Sequence, residues 1–351
     1  MLTHFFRSFT AMVMMIFVVL TLYVLNIYVD IAVKTILPSG EHGRVVVERG
    51  VKVRKFARQL EEQELVSSAK HFTVAYLSQY PSSSLQAGLY EISDSDTILD
   101  LVEKIARGSS VLEKITIVEG WQWRQIREAI RYERRFKLTS DHEILQHANN
   151  KYGSFLRPRG RLMSVEGMMM PDTYKFKRGI SDVSIIDEAM KQQMEYLKKE
   201  WANRDMTTNY RSPYQALVVA SLIERESRYP GEYSKIAAVI LNRIRINMPL
   251  QIDASVIYGM GKHQTKLTHR DLKKDSLYNT YTRRGLPPTP IGMPSKQAIR
   301  AALHPFKFGA LYYILDEHHH ERHIFTATFE AHKQEKVKQK MVTQQTASNT
   351  Q

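Results

Sequence analysis

Two carboxylates stand at the end of an apolar run. Glu224 and Glu226 close the stretch Y-Q-A-L-V-V-A-S-L-I-E-R-E-S at 214–227. Two helical positions at 100° each put them about 200° apart, on opposite sides of a helix. Glu226 falls nearly in line with Val219 and lies over Leu222 and Ile223. Those neighbours are apolar, and scarce water favours the neutral acid. A carboxylic acid that stays protonated near neutral pH is what general acid catalysis needs. Glu224 lies over Ala220 and Ser221, with Arg228 four positions on, the spacing of an ordinary surface ion pair. Glu226 is therefore the candidate catalytic acid. The pattern alone also admits a plainer reading, in which both are solvated ends of a core helix.

The elements that must hold this pair come from a chain of 351 residues, with 43% hydrophobic and 25% charged positions. That length allows about two domains and a sizeable core. There is no cysteine, which excludes disulfides, Cys-liganded zinc and a thiol nucleophile. The net charge of +14 would suit an anionic polymer, anionic lipid or nucleic acid. The densest basic groups are 131–135, 157–161 and 333–340, and no nucleic-acid-binding signature accompanies them. A solvated basic surface is the simpler reading, and no nucleic-acid partner is expected.

Residues 8–29 contain no charge and are long enough for a membrane span. Arg7 before the run favours a cytoplasmic N-terminus. The following Y-V-L-N-I-Y-V-D offers no small-x-small cleavage site. An uncleaved anchor at 9–29 is expected, ahead of a cleaved signal or a buried helix.

Residues 37–43 (L-P-S-G-E-H-G) read as a linker. Residues 44–48, 88–92 and 111–118 read as strands, and 55–65, 70–79 and 97–106 as helices. Together they make a small α+β module. Helices are expected at 121–132, 141–149 and 181–201, the last with Ser181 as N-cap. Ser212-Pro213 opens the helix that carries the glutamates, and 232–246 forms another with Ile236, Ile240, Leu241 and Ile244 on one stripe. Residues 248–305, rich in Gly, Pro, Asn, Thr and Tyr, read as ordered functional loops with short helices. Residues 311–315 and 322–326 read as a hairpin, and the polar tail as disordered.

Several motifs together resemble one family. A-S-L-I-E-R-E-S at 220–227 is followed by L-Q-I-D-A-S-V-I-Y-G-M-G at 250–261, Y-N-T-Y at 278–281, G-L-P-P-T-P-I at 285–291 and H-P at 304–305. Upstream stands E-G-M-M-M-P-D-T-Y at 166–174, and downstream H-I-F-T-A-T-F-E-A-H at 323–332. In this order they resemble the endolytic murein transglycosylases, MltG or YceG-like, over roughly 9–338. Ile252 and Ala254 around Asp253, Thr289, and Met293-Pro294-Ser295 depart from the family pattern.

The resemblance implies an α+β fold in five parts: a cytoplasmic N-terminus (1–8), a transmembrane anchor (9–29), a LysM-like subdomain (44–118), a YceG-like catalytic domain (119–338) and a disordered tail (339–351). It implies an enzyme of the inner membrane whose catalytic domain lies in the periplasm. It would cut the MurNAc-β-1,4-GlcNAc bond inside nascent glycan strands, leave 1,6-anhydro-MurNAc ends and limit strand elongation. The catalytic carboxyl falls on Glu226, in agreement with the helix-face argument. The partners implied are peptidoglycan glycan strands, the inner membrane and peptidoglycan synthases (penicillin-binding proteins).

In this chemistry the muramyl 6-hydroxyl is the nucleophile, so one carboxylate suffices and no metal or cofactor is needed. Gln251, Asp253, Asn279 and Tyr281 are candidates to stabilise the positive centre, or else turn and core hydrogen-bonders. Tyr258 and Tyr278 could stack on sugar faces or pack in the core. Ser227, beside the acid, is a further candidate for substrate contact. Asp253 would be the base if the enzyme hydrolysed instead, as a muramidase does. His318, His319, His320 and His323 lack an accompanying ligand framework, so no metal site is expected. Met168–Met170 read as core packing or a flexible groove wall. The competing reading is a non-catalytic peptidoglycan-binding adaptor of the cell-wall synthesis machinery.

Overall fold

The computed structural model describes residues 2–37, 42–133, 136–261, 267–317, 319 and 322–348. It is a mixed helix-and-sheet protein with three small sheets of two strands each among the described residues. The chain divides into two compact units: 1–114 with 175–180, and 115–174 with 181–351.

The first unit begins with α1 (Leu2–Ala32). Its stretch Phe9–Ala32 has a mean hydropathy of 2.4, and residues 9–26 are exposed. A helix of that length and composition is long and apolar enough to cross a membrane. Its last turns behave differently. Ile31 is buried in the unit's core, and Ile27, Ile36 and Leu37 pack against it. Asp30 accepts from the Ser67 hydroxyl at 2.6 and 2.7 Å and contacts the His71 imidazole. The Ile36 N–H donates to the Asp96 carbonyl. The helix thus runs into the unit directly, before the expected linker at 37–43, of which 38–41 lie outside the described residues.

The unit itself is β1 (Gly43–Val47), α2 (Val53–Glu62), α3 (Ala69–Gln79), β2 (Gly88–Ile92) and α4 (Ile98–Arg107). The strands pair antiparallel with Val45 opposite Tyr90. Phe56, Leu60, Phe72, Tyr76, Leu101 and Ile105 fill the space beneath them. Thr97 and Asp100 form a capping box at the start of α4, and Gly108 closes it in the left-handed conformation at φ +66°.

The chain passes to the second unit within β3 (Leu112–Ile117). It pairs with β4 (Asp172–Lys177), a strand the sequence patterning does not indicate. The alternation there is real, with Tyr174 and Phe176 inward. It follows the three methionines of 168–170, all of them buried core. Then come α5 (Trp123–Glu133), α6 (Asp141–Leu156) and α7 (Asp182–Ala202), in chain order either side of β4. Ser181 occupies the N-cap position of α7 without a capping bond. Ser140 caps α6 instead, in a capping box with Glu143.

At the centre lies α8 (Pro213–Glu226), buried from Ala216 to Ile223 on every side. A helix apolar all round belongs in a core. It is packed by α9 (Tyr233–Arg245), α12 (Lys296–Leu303), α7, α6 and α10 (Asp253–Met260). The loop region also carries α11 (His269–Lys273). The hairpin expected at 311–326 is β5 (Tyr312–Leu315) paired with β6 (His323–Thr326), Tyr313 opposite Phe325. The tail does not follow the expectation of disorder: α13 runs from Phe329 to Ser348, and 349–351 lie outside the described residues. Glu330, Lys333, Glu335 and Lys338 provide i,i+3 pairs along it.

Candidate active site

The end of α8 is set by Ser227, whose extended backbone (φ −134°, ψ 149°) turns the chain away from the core. Glu224, Arg225, Glu226 and Ser227 are delivered together to a cavity of about 520 Å³, with Glu119, Gly120, Arg228 and Pro230 around it.

The two glutamates divide as the helix geometry demands, but Glu224 is no surface pair with Arg228. Its carboxylate accepts from the Ser295 N–H at 2.9 Å, the Ser295 hydroxyl at 2.5 Å and the Tyr233 hydroxyl at 3.1 Å. It is thereby fastened to the N-cap of α12. The loop at 295 lies far off in sequence, which is why local spacing misassigns Glu224.

Glu226 is half-buried. Burial pushes its carboxyl above the ordinary range, and the nearby negative charge of Asp253 adds to this. Three groups oppose the rise: the Tyr313 hydroxyl, which donates to Oε2 at 2.6 Å, and the charges of His323 and Arg243. One oxygen, Oε1, is left without a bonded side chain among the described residues. The arrangement favours the protonated acid by burial and places a fixed donor at Oε2.

These supporting groups were not evident from the sequence. Tyr313 comes from β5, and its own ionisation is pushed far up by burial beside Glu226. Its ring meets His323 of β6 edge-on at 5.4 Å. His323 is held in turn by Glu232, which accepts from its backbone N–H at 3.0 Å and pairs with Nδ1 at 2.9 Å. Arg243 is buried on α9. Its guanidinium donates to the carbonyls of Leu311 at 2.6 Å and Leu250 at 2.7 Å and lies over the Tyr312 ring. Arg243 does leave a trace in the sequence: it sits seven positions after Ile236, on the apolar stripe of its helix.

The other expected site residues fall into two groups. Asp253 begins α10, is exposed, and accepts from the Tyr281 hydroxyl at 2.5 Å. Gln251 is exposed in the left-handed conformation (φ +53°), with its amide oxygen 3.4 Å from Arg243. Ser227 lines the cavity, and its hydroxyl accepts the Tyr229 N–H at 3.0 Å. These three and Tyr281 gather around Glu226 and Arg243. Asn279 and Tyr258 do not. Asn279 is only 1% exposed, and its amide donates to the carbonyls of Lys274 and Leu272 while accepting from the Tyr281 N–H. It ties the loop together and presents nothing to a ligand. Tyr258 packs edge-on against Tyr278 at 4.9 Å and donates to Glu166 at 3.0 Å. Both rings are half-buried and pack against each other.

Of the histidine cluster, His318 and His320 lie outside the described residues, and His319 pairs with Asp316. No group of three or more metal-ligating side chains occurs among the described residues.

A mixed α and β unit that presents raised carboxyls, Glu226 and Glu119, at one cavity defines a candidate for acid–base chemistry. Comparison with known proteins is specific. The sequence profile of the YceG-like family matches residues 45–338, and the chain belongs to that family. It is 30% identical over 304 residues to the endolytic murein transglycosylase of Bacillus subtilis, covering 83% of each chain. It is 27% identical over 309 residues to the endolytic murein transglycosylase of Streptococcus pneumoniae, covering 79% of this chain and 55% of that one. A crystal structure of a YceG-like protein from Listeria monocytogenes superposes with a TM-score of 0.57 at 29% identity, covering 84% of this chain and 99% of the other.

Proposed function

We propose that this protein is an endolytic lytic transglycosylase of peptidoglycan, with Glu226 as both acid and base. The reading is carried by one observation: the raised carboxyl of Glu226 stands at the cavity, with Tyr313 bonded to its Oε2.

Protonated Glu226 gives its proton to the glycosidic oxygen between MurNAc and GlcNAc. The C1–O bond breaks, the GlcNAc side leaves as an alcohol, and positive charge develops at the muramyl C1. The muramyl 6-hydroxyl attacks C1, and its proton passes to the carboxylate of Glu226. The acid is restored, and the product is a 1,6-anhydro end with no water consumed. Intramolecular attack replaces the second carboxylate that would otherwise position water. Asp253, with Tyr281 bonded to it, supplies negative charge on the side of the developing cation.

The apolar stretch Phe9–Ala32 supports a single-pass anchor at 9–29 in the inner membrane, with the catalytic domain in the periplasm. Residues 44–118 would be the LysM-like module. Nascent glycan strands made by peptidoglycan synthases at that membrane would be the substrate, and cutting them would limit their elongation.

A second reading has Asp253 acting as a base for water, which would make the enzyme a muramidase. The test is digestion of purified peptidoglycan by the full chain in detergent, with mass spectrometry of the products. Removing the anchor at residue 34 would cut away Ile31 and Asp30, which belong to the first unit. Anhydro ends that vanish with Glu226→Gln are expected. Reducing ends would establish the muramidase. Products undiminished in Glu226→Gln would remove Glu226 as the acid, and a parent that makes no products would leave the adaptor role.

A further inference from the structure

The second unit holds a further cavity, of about 480 Å³, that the reaction just described does not use. It lies at the start of α8, whereas Glu226 stands at the end. That helix is about 20 Å long at 1.5 Å rise per residue. The charge of the wall has one sign. Arg157 and Arg211 line it, and no acidic side chain among the described residues does. Arg157 follows α6 and opens the basic group at 157–161. Its guanidinium donates to the Arg161 carbonyl at 3.1 Å and lies over the Tyr214 ring at 5.4 Å. Arg211 is exposed, and its backbone N–H donates to the Gln215 side chain at 2.8 Å. Neither guanidinium has an ion pair among the described residues.

The start of α8 adds to this field. Pro213 stands at the first helical position, and Ser212 before it makes no side-chain capping bond. The partial positive charge of the helix start is therefore left open beside the two arginines. Tyr214 also lines the cavity, is only 4% exposed, and its hydroxyl has no hydrogen-bond partner. A buried hydroxyl left unpaired is costly, so a ligand that brings an acceptor is favoured. The rest of the wall is largely apolar, with Leu241 and Ile244 of α9 facing the run Leu286-Pro287-Pro288. An inorganic ion has no use for that side. A carboxylate carried on a short organic body uses both.

We propose that this cavity is a second binding site of the catalytic unit, and that it takes a carboxylate of a peptidoglycan stem peptide through Arg157 and Arg211. The inference rests on the proposed substrate and deepens it. The sugars of such a strand are neutral, and where peptides are attached its charge resides in their carboxylates. Guanidinium groups match a carboxylate in shape and charge. A peptide held a helix length from Glu226 leaves the sugar site free. It adds the same binding energy before and during the reaction, so it acts on KM and not on the chemical step. Strands that keep their peptides are thereby preferred over strands stripped of them.

The test titrates a disaccharide tripeptide into the full chain in detergent by calorimetry. The same compound with its carboxylates amidated, and inorganic phosphate, are titrated beside it. The free carboxylates are expected to bind, and the amidated compound to bind about tenfold more weakly or worse. Arg157→Gln and Arg211→Gln should each weaken the binding of the tripeptide about tenfold. Arg211 is exposed, so its loss should leave the melting point in place, and that variant answers even where Arg157→Gln fails to fold. Hydrogen exchange places the ligand: slowing is expected at 208–215 and 285–286, away from the cavity of Glu226. On turnover, the ratio of kcat/KM for peptide-bearing over stripped strands should fall toward one in Arg211→Gln, through KM. Equal binding of the amidated compound, phosphate binding as tight as the tripeptide, or slowing confined to 224–230 each overturns the site. A parent that cuts strands but binds no tripeptide also overturns it. A parent that binds the tripeptide here and makes no cut overturns the catalytic reading and leaves the site standing.

Discussion

Asp182 and Glu226 are carboxylates withdrawn from water in the same unit, and the fold treats them oppositely. Asp182, at the start of α7, is completely buried. It accepts from the Arg127 guanidinium at 2.5 Å and from the Thr139 N–H at 3.0 Å. Arg127 also reaches the Thr139 carbonyl at 2.7 Å and the Asp141 carboxylate at 2.8 Å. Glu226, at the end of α8, has the buried Arg243 nearby, but that guanidinium is committed to the carbonyls of Leu250 and Leu311. Its direct partner is the neutral Tyr313 hydroxyl. A cation at contact distance pins a carboxylate as a charge. A cation spent on carbonyls leaves the acid free to hold a proton, and only that arrangement can do acid–base chemistry.

The largest effect should come from Glu226→Gln, which keeps the shape and the Tyr313 contact but cannot transfer a proton. Turnover on peptidoglycan should fall by a factor of about 10²–10⁴, with the thermal midpoint almost unmoved. A variant that kept near-parent turnover would break the comparison at its functional side. Asp182→Ala should do the reverse. It leaves Arg127 buried without its main partner, and breaking such a pair costs about 3–5 kcal/mol. Denaturant titration measures that loss, and activity per folded molecule should persist. A fall in activity without a loss of stability would show that Asp182 had been assigned the wrong kind of role.

Much of this contrast is legible in the chain, because the relevant signals are local. The apolar run ending at Glu224–Glu226, its opening Ser212-Pro213, and the hairpin at 311–326 all follow from spacing and turn chemistry. The position of Glu226 on the apolar side needs only the helical period. The supporting shell is not legible in that way. Tyr313 lies 87 residues from Glu226, and Ser295 lies 71 from Glu224. No periodicity reports such contacts. Asn279 shows the converse. An Asn in a polar loop suits a groove or a turn equally, and only its three carbonyl partners settle it as a turn residue. The end of α1 misleads for a related reason. The breaker-rich residues after it suggest a linker, whereas Ile31 and Asp30, still inside the helix, already belong to the first unit.

Tyr313→Phe sharpens the comparison from within the site. The hydroxyl favours the carboxylate of Glu226, so its loss raises the Glu226 pKa. The acid then stays protonated to higher pH, and the alkaline limb of the pH–rate profile moves up. Asp253→Asn removes a like charge, lowers the same pKa and moves the limb down. Opposite shifts from two substitutions flanking one carboxyl are hard to produce by unfolding. Shifts of the same sign would mean that Glu226 is not the group being titrated.

The smallest effect is expected at Glu224, where the comparison is closest in sequence. Two residues from the candidate acid, it accepts from the Ser295 N–H and hydroxyl and from Tyr233. These bonds lie at the N-terminal end of α12, where a negative charge is also favoured by the aligned peptide dipoles. Glu224→Gln keeps one acceptor oxygen and loses the charge, so the loss should be about 1–2 kcal/mol of stability. Turnover of the folded protein should drop no more than a few-fold, since Ser295 can still cap α12 through its own bond to the Ala298 N–H. Thermal melting and initial rates on the same preparation separate the two quantities. A loss of turnover as deep as that of Glu226→Gln, with the melt unchanged, would move Glu224 from the frame of the site into its chemistry.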